Sequence, residues 1–125
     1  MLHVKPVIDQ SCEEFLRSEG VDVCYSEGVD VALFEDEALI GAAHISFLPD
    51  TALLEGVYLK ADKRKKGYGD FLTRAAMDAY TRSLPLFKVG YKSDYFIKFG
   101  FVEVEDGMMI KSEEITFPSQ CGGHK

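Results

Sequence analysis

The sequence has no tryptophan, three cysteines, four prolines and no long apolar run. Each shortage excludes something. No stretch approaches the ~18–20 apolar residues of a membrane span, and the N-terminus lacks the apolar core of a signal peptide. The chain is therefore expected to stay off membranes and to work in the cytoplasm. Cys12, Cys24 and Cys121 are odd in number and widely spaced, which reads as reduced thiols, not as a disulfide frame. The tail Cys121-Gly-Gly-His124 is a weak metal signal, and residues 117–125 read as a flexible tail. Repeats, low-complexity tracts and a Pro/Gly/Ser-rich linker before that tail are all missing. So is the dominant basic face of a nucleic-acid binder.

What remains is an ordinary globular mixture. The 125 residues are one domain's worth, with 46% hydrophobic and 28% charged residues. Nine Phe and six Tyr supply core volume in place of tryptophan. The net charge of −7 is unevenly spread, with −9 over residues 1–50, +5 over 51–101 and −3 over 102–125. The one dense positive cluster is Lys60, Lys63, Arg64, Lys65 and Lys66. So small a patch suits a compact polyanion, such as a cofactor phosphate, better than a duplex.

Periodicity predicts the elements. Residues 2–8 alternate loosely, and Pro6 confines them to an edge strand. A short helix is expected from Ser11 to Arg17, capped by Ser11 and stopped by Gly20, with Cys12, Phe15 and Leu16 on one face. Residues 29–35 and 38–48 read as strands around Glu35-Asp36-Glu37. Residues 51–60 form another, in which Glu55 and Gly56 interrupt an apolar run and hint at a bulge. A basic, Gly-punctuated stretch, 61–69, leads directly into a helix whose apolar stripe is Phe71, Leu72, Ala75, Ala76 and Ala79, opposite Thr73, Arg74 and Asp78. Leu84–Tyr91 reads as a buried strand and Ser93–Phe99 as a short helix ended by Gly100. Two closing strands, Phe101–Glu105 and Met108–Ile115, flank Asp106-Gly107 as a hairpin turn. This order predicts a mixed α/β sheet with helices on its faces, not a doubly wound one.

The stretch from Lys60 to Gly69 carries chemistry. A strand that runs through glycines into a helix N-terminus leaves convergent backbone N–H groups at the positive end of the helix dipole, a site for phosphate. Gly67 and Gly69 let oxygens approach without a Cβ in the way. The spacing is neither that of a Walker loop nor the Rossmann G-x-G-x-x-G, and no hydroxyl is placed for Mg²⁺. The bland alternative is a glycine-rich turn on a solvated basic face.

Val57-Tyr-Leu59, then Arg64-x-x-Gly67-x-Gly69, then an amphipathic helix together resemble the acyl-CoA motif of the GNAT superfamily of N-acyltransferases. Downstream, Asp94-Tyr95-Phe96-Ile-Lys-Phe99-Gly100-Phe101 resembles that family's aromatic-rich helix-to-strand turn. The resemblance covers residues 29–115. It implies a mixed, mostly antiparallel sheet with helices on both faces and a splayed gap between the fourth and fifth strands. It also implies acetyl-CoA as co-substrate, direct acetyl transfer to a primary amine in a ternary complex, and no metal. Backbone groups of Val57 and Leu59 would hold the pantetheine arm. The run Arg64, Lys65, Lys66, Gly67, Tyr68, Gly69 and Asp70 would wrap the pyrophosphate, while Tyr58 and Phe96 would wall the cofactor.

Catalytic roles are less legible. A backbone N–H near Val57 is the candidate oxyanion donor. Glu55, among apolar residues on the same strand, is the candidate base, against the plainer reading of a carboxylate that only attracts a cation. The family's usual tyrosine position is Phe96 here, so Tyr95 is the nearest candidate acid. His44 sits where it could face an acceptor cleft, though a lone strand histidine reads first as packing. The acidic first half favours a cationic amine acceptor, small or on a protein. Its brevity implies an open cleft, or one completed by a second subunit in a homodimer. The rival is a non-catalytic acyl-CoA-binding module that kept the loop and lost the chemistry, or more remotely an interaction domain for another phosphate compound.

Overall fold

The computed structural model describes residues 1–21, 28–64, 67–80 and 84–116. Seven strands build one sheet: β1 (Leu2–Val7), β2 (Val29–Glu35), β3 (Ala38–Leu48), β4 (Thr51–Leu59), β5 (Leu86–Val89), β6 (Val102–Val104) and β7 (Gly107–Lys111). Their spatial order is β1-β2-β3-β4-β5-β7-β6, and among the described residues only the β4–β5 pairing is parallel. Helix α1 (Ser11–Ser18) packs on one face through Cys12 and Phe15 against Ala32 and Ala42. Helix α2 (Tyr68–Tyr80) covers the other, where Leu72, Ala76 and Met77 meet Ile45, Leu54 and Phe87. This is the expected mixed sheet with helices on both faces. Among the described residues no helix is long and apolar enough to cross a membrane.

Local chemistry moved several boundaries. The start of α1 is held by Asp9, whose carboxylate accepts from the Ser11 amide at 2.9 Å, and Ser11 itself is the first helical residue, not the cap. In α2 the buried stripe is Leu72, Thr73, Ala76 and Met77, while Phe71 and Ala79 face solvent. Thr73 can be buried because its hydroxyl donates to the Gly69 carbonyl at 2.7 Å and needs no water. The closing hairpin turns at Glu105-Asp106, since Val104 pairs with Gly107. Gly107 is a strand residue: a Cβ there would lie 1.9 Å from the Val89 carbonyl oxygen, so only glycine lets β7 approach β5. Residues 94–99 form a single 3-10 helix whose Ser93 cap accepts from the Tyr95 amide, ended by Gly100 at φ 101°. Cys24, Lys65, Lys66, Cys121, His124 and the whole 117–125 tail fall outside the described residues.

Two irregularities in β4 shape the centre of the molecule. His44 pairs with Gly56 and Ile45 with Leu54, so Glu55 is the extra residue of a bulge. The bulge anticipated from Gly56 lies there. On the other edge, β5 pairs with β4 only from Thr51 to Leu54, after which Gly90 donates to the Leu54 carbonyl and the strands part. Among the described residues no strand thus pairs with residues 55–59 of β4 on that edge.

Candidate active site

The parted strands expose a backbone edge. The Lys60 amide donates to the Ile40 carbonyl on β3 at 2.8 Å. Strand alternation then turns the amides of Val57 and Leu59 the other way, into the gap. Helix α2 begins at the mouth of that gap. Gly67 adopts φ 80°, the left-handed region open to glycine, and its carbonyl accepts from the Phe71 amide at 3.0 Å. Among the described residues a Cβ on Gly67 would meet nothing within 4 Å, and one on Gly69 only Leu59 Cδ1 at 3.5 Å. Among the described residues nothing else occupies the space in front of the helix N-terminus, where the first amides of a helix lack intrahelical partners. Beside it lies a cavity of about 280 Å³ lined by Gly69, Asp70, Thr73, Tyr91, Ser93, Tyr95 and Phe96.

Several side chains singled out from the sequence are tied to the protein itself. Arg64 donates from Nε to the Leu59 carbonyl at 3.1 Å and lies 4.9 Å over the Tyr58 ring. It braces the end of β4, and this guanidinium stacking gives Tyr58 its place. Tyr68 donates to Glu35 at 2.9 Å, and Lys63 pairs with the same carboxylate at 2.5 Å. Phe96 is 1% exposed and packs edge-on against Tyr91, Tyr95 and Phe101.

The Tyr95 hydroxyl donates to Asp70 across the cavity, and Arg74 Nε pairs with the other Asp70 oxygen at 2.9 Å. Burial pushes the Tyr95 phenol well above its ordinary value, and the hydrogen bond to Asp70 and that carboxylate's charge push it further. Burial also works to raise Asp70, but the bonds from Tyr95 and Arg74 and the charges of Arg74 and Lys98 outweigh it and hold the carboxyl low. A phenol raised in the fold stabilises it below the unfolded value of about 10 and loses that contribution at higher pH. Denaturation midpoints should therefore fall above about pH 10 in the wild type and fall less steeply in Tyr95→Phe. Parallel alkaline slopes would contradict the bond.

On the opposite face of the sheet, three neighbouring strands bring three titratable groups together. Asp30 of β2 pairs with His44 of β3, and Glu55, the unpaired bulge residue of β4, lies next to Gly56, the residue His44 pairs with. Asp30 Oδ1 is 2.7 Å from His44 Nδ1, and His44 is 6% exposed. Glu55 Oε2 is buried and 3.4 Å from His44 Nε2. That is ion-pair distance without hydrogen-bond alignment, and this oxygen accepts no hydrogen bond among the described residues. A cavity of about 130 Å³ opens here, lined by Leu16, Val21, Asp30, Ala42, His44, Gly56, Val57 and Tyr58. Gly28 closes over it, and a Cβ at that position would fall 2.9 Å from His44 Nε2 and 2.2 Å from the Ile45 carbonyl. Cys12 is buried nearby, its thiol pushed up to about 12 by burial and then by the charges of Asp30 and Asp9. The described residues hold no group of three or more His, Cys, Asp or Glu arranged for a metal ion. Sequence reading found Glu55 but set His44 aside and missed Asp30. Pairing outward from the tight turn at 36–37 would set 30 opposite 43; the register shift between Leu33 and Phe34, where Ile40 is the extra residue, brings Asp30 opposite His44 instead.

The sheet parted beside a glycine-bearing helix N-terminus, with a bulged carboxylate at the parting, is the frame of an acyltransferase. The model of the acetyltransferase (GNAT) family matches residues 7–101, and the chain belongs to that family. The match begins earlier than the resemblance did and takes in α1. Among solved structures, the ribosomal-protein-S18-alanine N-acetyltransferase from Escherichia coli is similar with a TM-score of 0.73 at 14% identity, over 96% of this chain and 97% of that one. A GNAT family acetyltransferase from Brucella melitensis in complex with acetyl-CoA gives 0.66 at 15% identity, over 89% and 88%. Arabidopsis thaliana Naa50 with a bisubstrate analogue gives 0.66 at 13%, over 83% and 85%. Identities this low speak for the fold alone. Comparison with curated protein sequences gives no match.

Proposed function

We propose that this chain transfers an acetyl group from acetyl-CoA to a primary amine by direct transfer in a ternary complex. One observation carries the reading: the β4–β5 parting opens beside the α2 N-terminus, where Gly67 and Gly69 leave room, and Glu55 stands at the same parting. Those residues fit coenzyme A. Val57 and Leu59 would pair with the pantetheine arm as with an added strand, and the amides after Gly67 would take the pyrophosphate. Lys65 and Lys66 would add charge, with Arg64 bracing the strand end and Asp70 fixing the cavity wall through Tyr95.

Bound there, the thioester supplies the acyl group, and the protein supplies the rest. The acceptor enters from the α1 face, where Asp30, Glu55 and, through Tyr58, Glu19 make the surroundings acidic. That favours a cationic amine, which must lose a proton before its lone pair can attack. Glu55 takes that proton, directly or through a water, and the amide of Val57 donates to the carbonyl oxygen as charge builds on it. The carbon–nitrogen bond forms as the carbon–sulfur bond breaks, and one proton is released in net. Tyr95, whose proton is held by Asp70, serves in this reading to shape the cavity, and positioning carries more of the rate than a dedicated acid.

That same bond favours a second reading. With Phe96 at the family's tyrosine position and Tyr95 bonded to Asp70, the fold also suits an acyl-CoA-binding module without turnover. Thiol release from acetyl-CoA across a panel of primary amines, with mass spectrometry of the products, separates the two. The enzyme reading expects amine-dependent release and an acetylated amine. Tight binding of acetyl-CoA with no amine-dependent release would favour the module.

A further inference from the structure

We infer that Glu35, at the end of β2, is the positioning residue of the coenzyme A loop: its carboxylate ties down the chain on both sides of the stretch that would wrap the pyrophosphate. This rests on the acetyl-CoA reading of that loop, and it gives a role to a residue whose sequence context marked only a hairpin turn.

Glu35 is a firm post because of where it stands. It pairs with Leu2 on one side and with Ala38 on the other, so three strands hold its backbone. Val31 and Leu33 pack into the core beneath α2, and strand alternation carries Glu35 onto that same face. The chain leaving β4 comes to it. After the bond from the Lys60 amide to Ile40, a single 3-10 turn, Ala61–Lys63, follows, closed by the Lys63 amide donating to the Lys60 carbonyl at 2.9 Å. Lys63 Nζ then donates to Glu35 Oε1 at 2.5 Å. Beyond the glycine turn, the Tyr68 hydroxyl donates to Oε2 of the same carboxylate at 2.9 Å. Arg64, bonded back to the Leu59 carbonyl, adds a further tie at the near end.

A loop pinned at both ends has fewer arrangements to lose when a ligand orders it, and that saving appears as affinity. The Lys63–Glu35 pair is more than a loose surface contact, since its side chains are only 24% and 28% exposed. The hydrogen bond to Glu35 is the first cause that raises both the Lys63 ammonium and the Tyr68 phenol, so at neutral pH Lys63 keeps its charge and Tyr68 its proton. Charge and position act in opposite senses at this residue. By charge alone, a carboxylate beside a pyrophosphate repels it, and removing Glu35 would tighten binding. By position, removing it frees both ends of the loop and weakens binding. Lys63 offsets the carboxylate's charge at close range, so the repulsion is small and position wins.

Calorimetric titration of coenzyme A into Glu35→Ala tests this by the sign of the change. Affinity should fall by about three- to tenfold, and the KM for acetyl-CoA should rise with it while kcat changes less. In the ligand-free protein, ¹⁵N relaxation should show the Gly67 and Gly69 amides more mobile in the variant than in the wild type, with the amides of β3 and β4 unchanged as the check on folding. Tyr68→Phe, the milder change, removes one bond and no charge, and it should weaken binding in the same direction. Adding it to Glu35→Ala should cost nothing more, because its bond is already gone. Unchanged or tighter binding in Glu35→Ala, an unaltered loop in the ligand-free variant, or additive losses in the double variant would each overturn the inference. A wild type that binds no coenzyme A would sink the cofactor reading instead, whereas the relaxation data decide on their own whether Glu35 holds the loop.

Discussion

Replacing Glu55 with Gln should cut turnover by about 10²–10⁴ while acetyl-CoA affinity stays nearly unchanged. The expectation follows from where the bulge puts this residue. Glu55 is the extra residue opposite the His44/Ile45 step, on the α1 side of the parting and away from the α2 N-terminus that would hold phosphates. Removing its charge touches proton transfer and leaves cofactor contacts alone. Glutamine keeps the shape, so the bulge and the neighbouring His44 should stay in place. The loss should shrink at high pH, where the amine sheds its proton unaided. A carboxylate that only attracts a cationic acceptor behaves differently: its substitution would raise the acceptor's KM and leave kcat alone. A pH–rate profile of both proteins with one good amine separates these outcomes.

The second large effect is expected at the helix N-terminus. Gly69→Val should weaken coenzyme A binding by about 3 kcal/mol, roughly a hundredfold, because its side chain would fill the space in front of the unpaired amides. Gly69 is the clean position for this test. It lies within α2, and a Cβ there meets only Leu59 Cδ1 at 3.5 Å, so the fold should tolerate it. Gly67 also faces open space, but its φ of 80° would charge any other residue about 1–2 kcal/mol in backbone strain and blur the result. Calorimetric titration with coenzyme A, beside a thermal melt of each protein, reads affinity and folding separately. A folded Gly69→Val protein with wild-type affinity would mean that phosphate does not pass this residue.

How much of this was legible in the sequence differs by scale. The order of elements was, because each hydrophobic run is bounded by strong punctuation at Gly20, Pro49-Asp50, Gly67 and Gly100. The bulge was legible too, since Glu55-Gly56 breaks an otherwise apolar strand. What failed was local competition between similar signals. Thr73 read as a polar face because its bond to the Gly69 carbonyl exists only once the helix has formed. Asp106-Gly107 read as the turn because Gly107's close approach to Val89, which requires glycine in a strand, is a contact between distant residues. The site divided along the same line. Glu55 and the loop glycines stand out by spacing, whereas Asp30 and His44 become a pair only through strand register. Nor could spacing foretell that Tyr95 would be bonded to Asp70, twenty-five positions away.

The claim on which the others rest is that coenzyme A lies along the free edge of β4 with its pyrophosphate at the start of α2. Backbone-amide chemical shifts, followed while coenzyme A is titrated into the protein, test it most directly. The amides of Val57, Leu59, Gly67, Gly69 and Asp70 should shift together and saturate at one affinity, while those of β1 and the outer face of α1 stay still. Saturable shifts confined to other parts of the molecule, or no shifts at millimolar coenzyme A, would contradict the account.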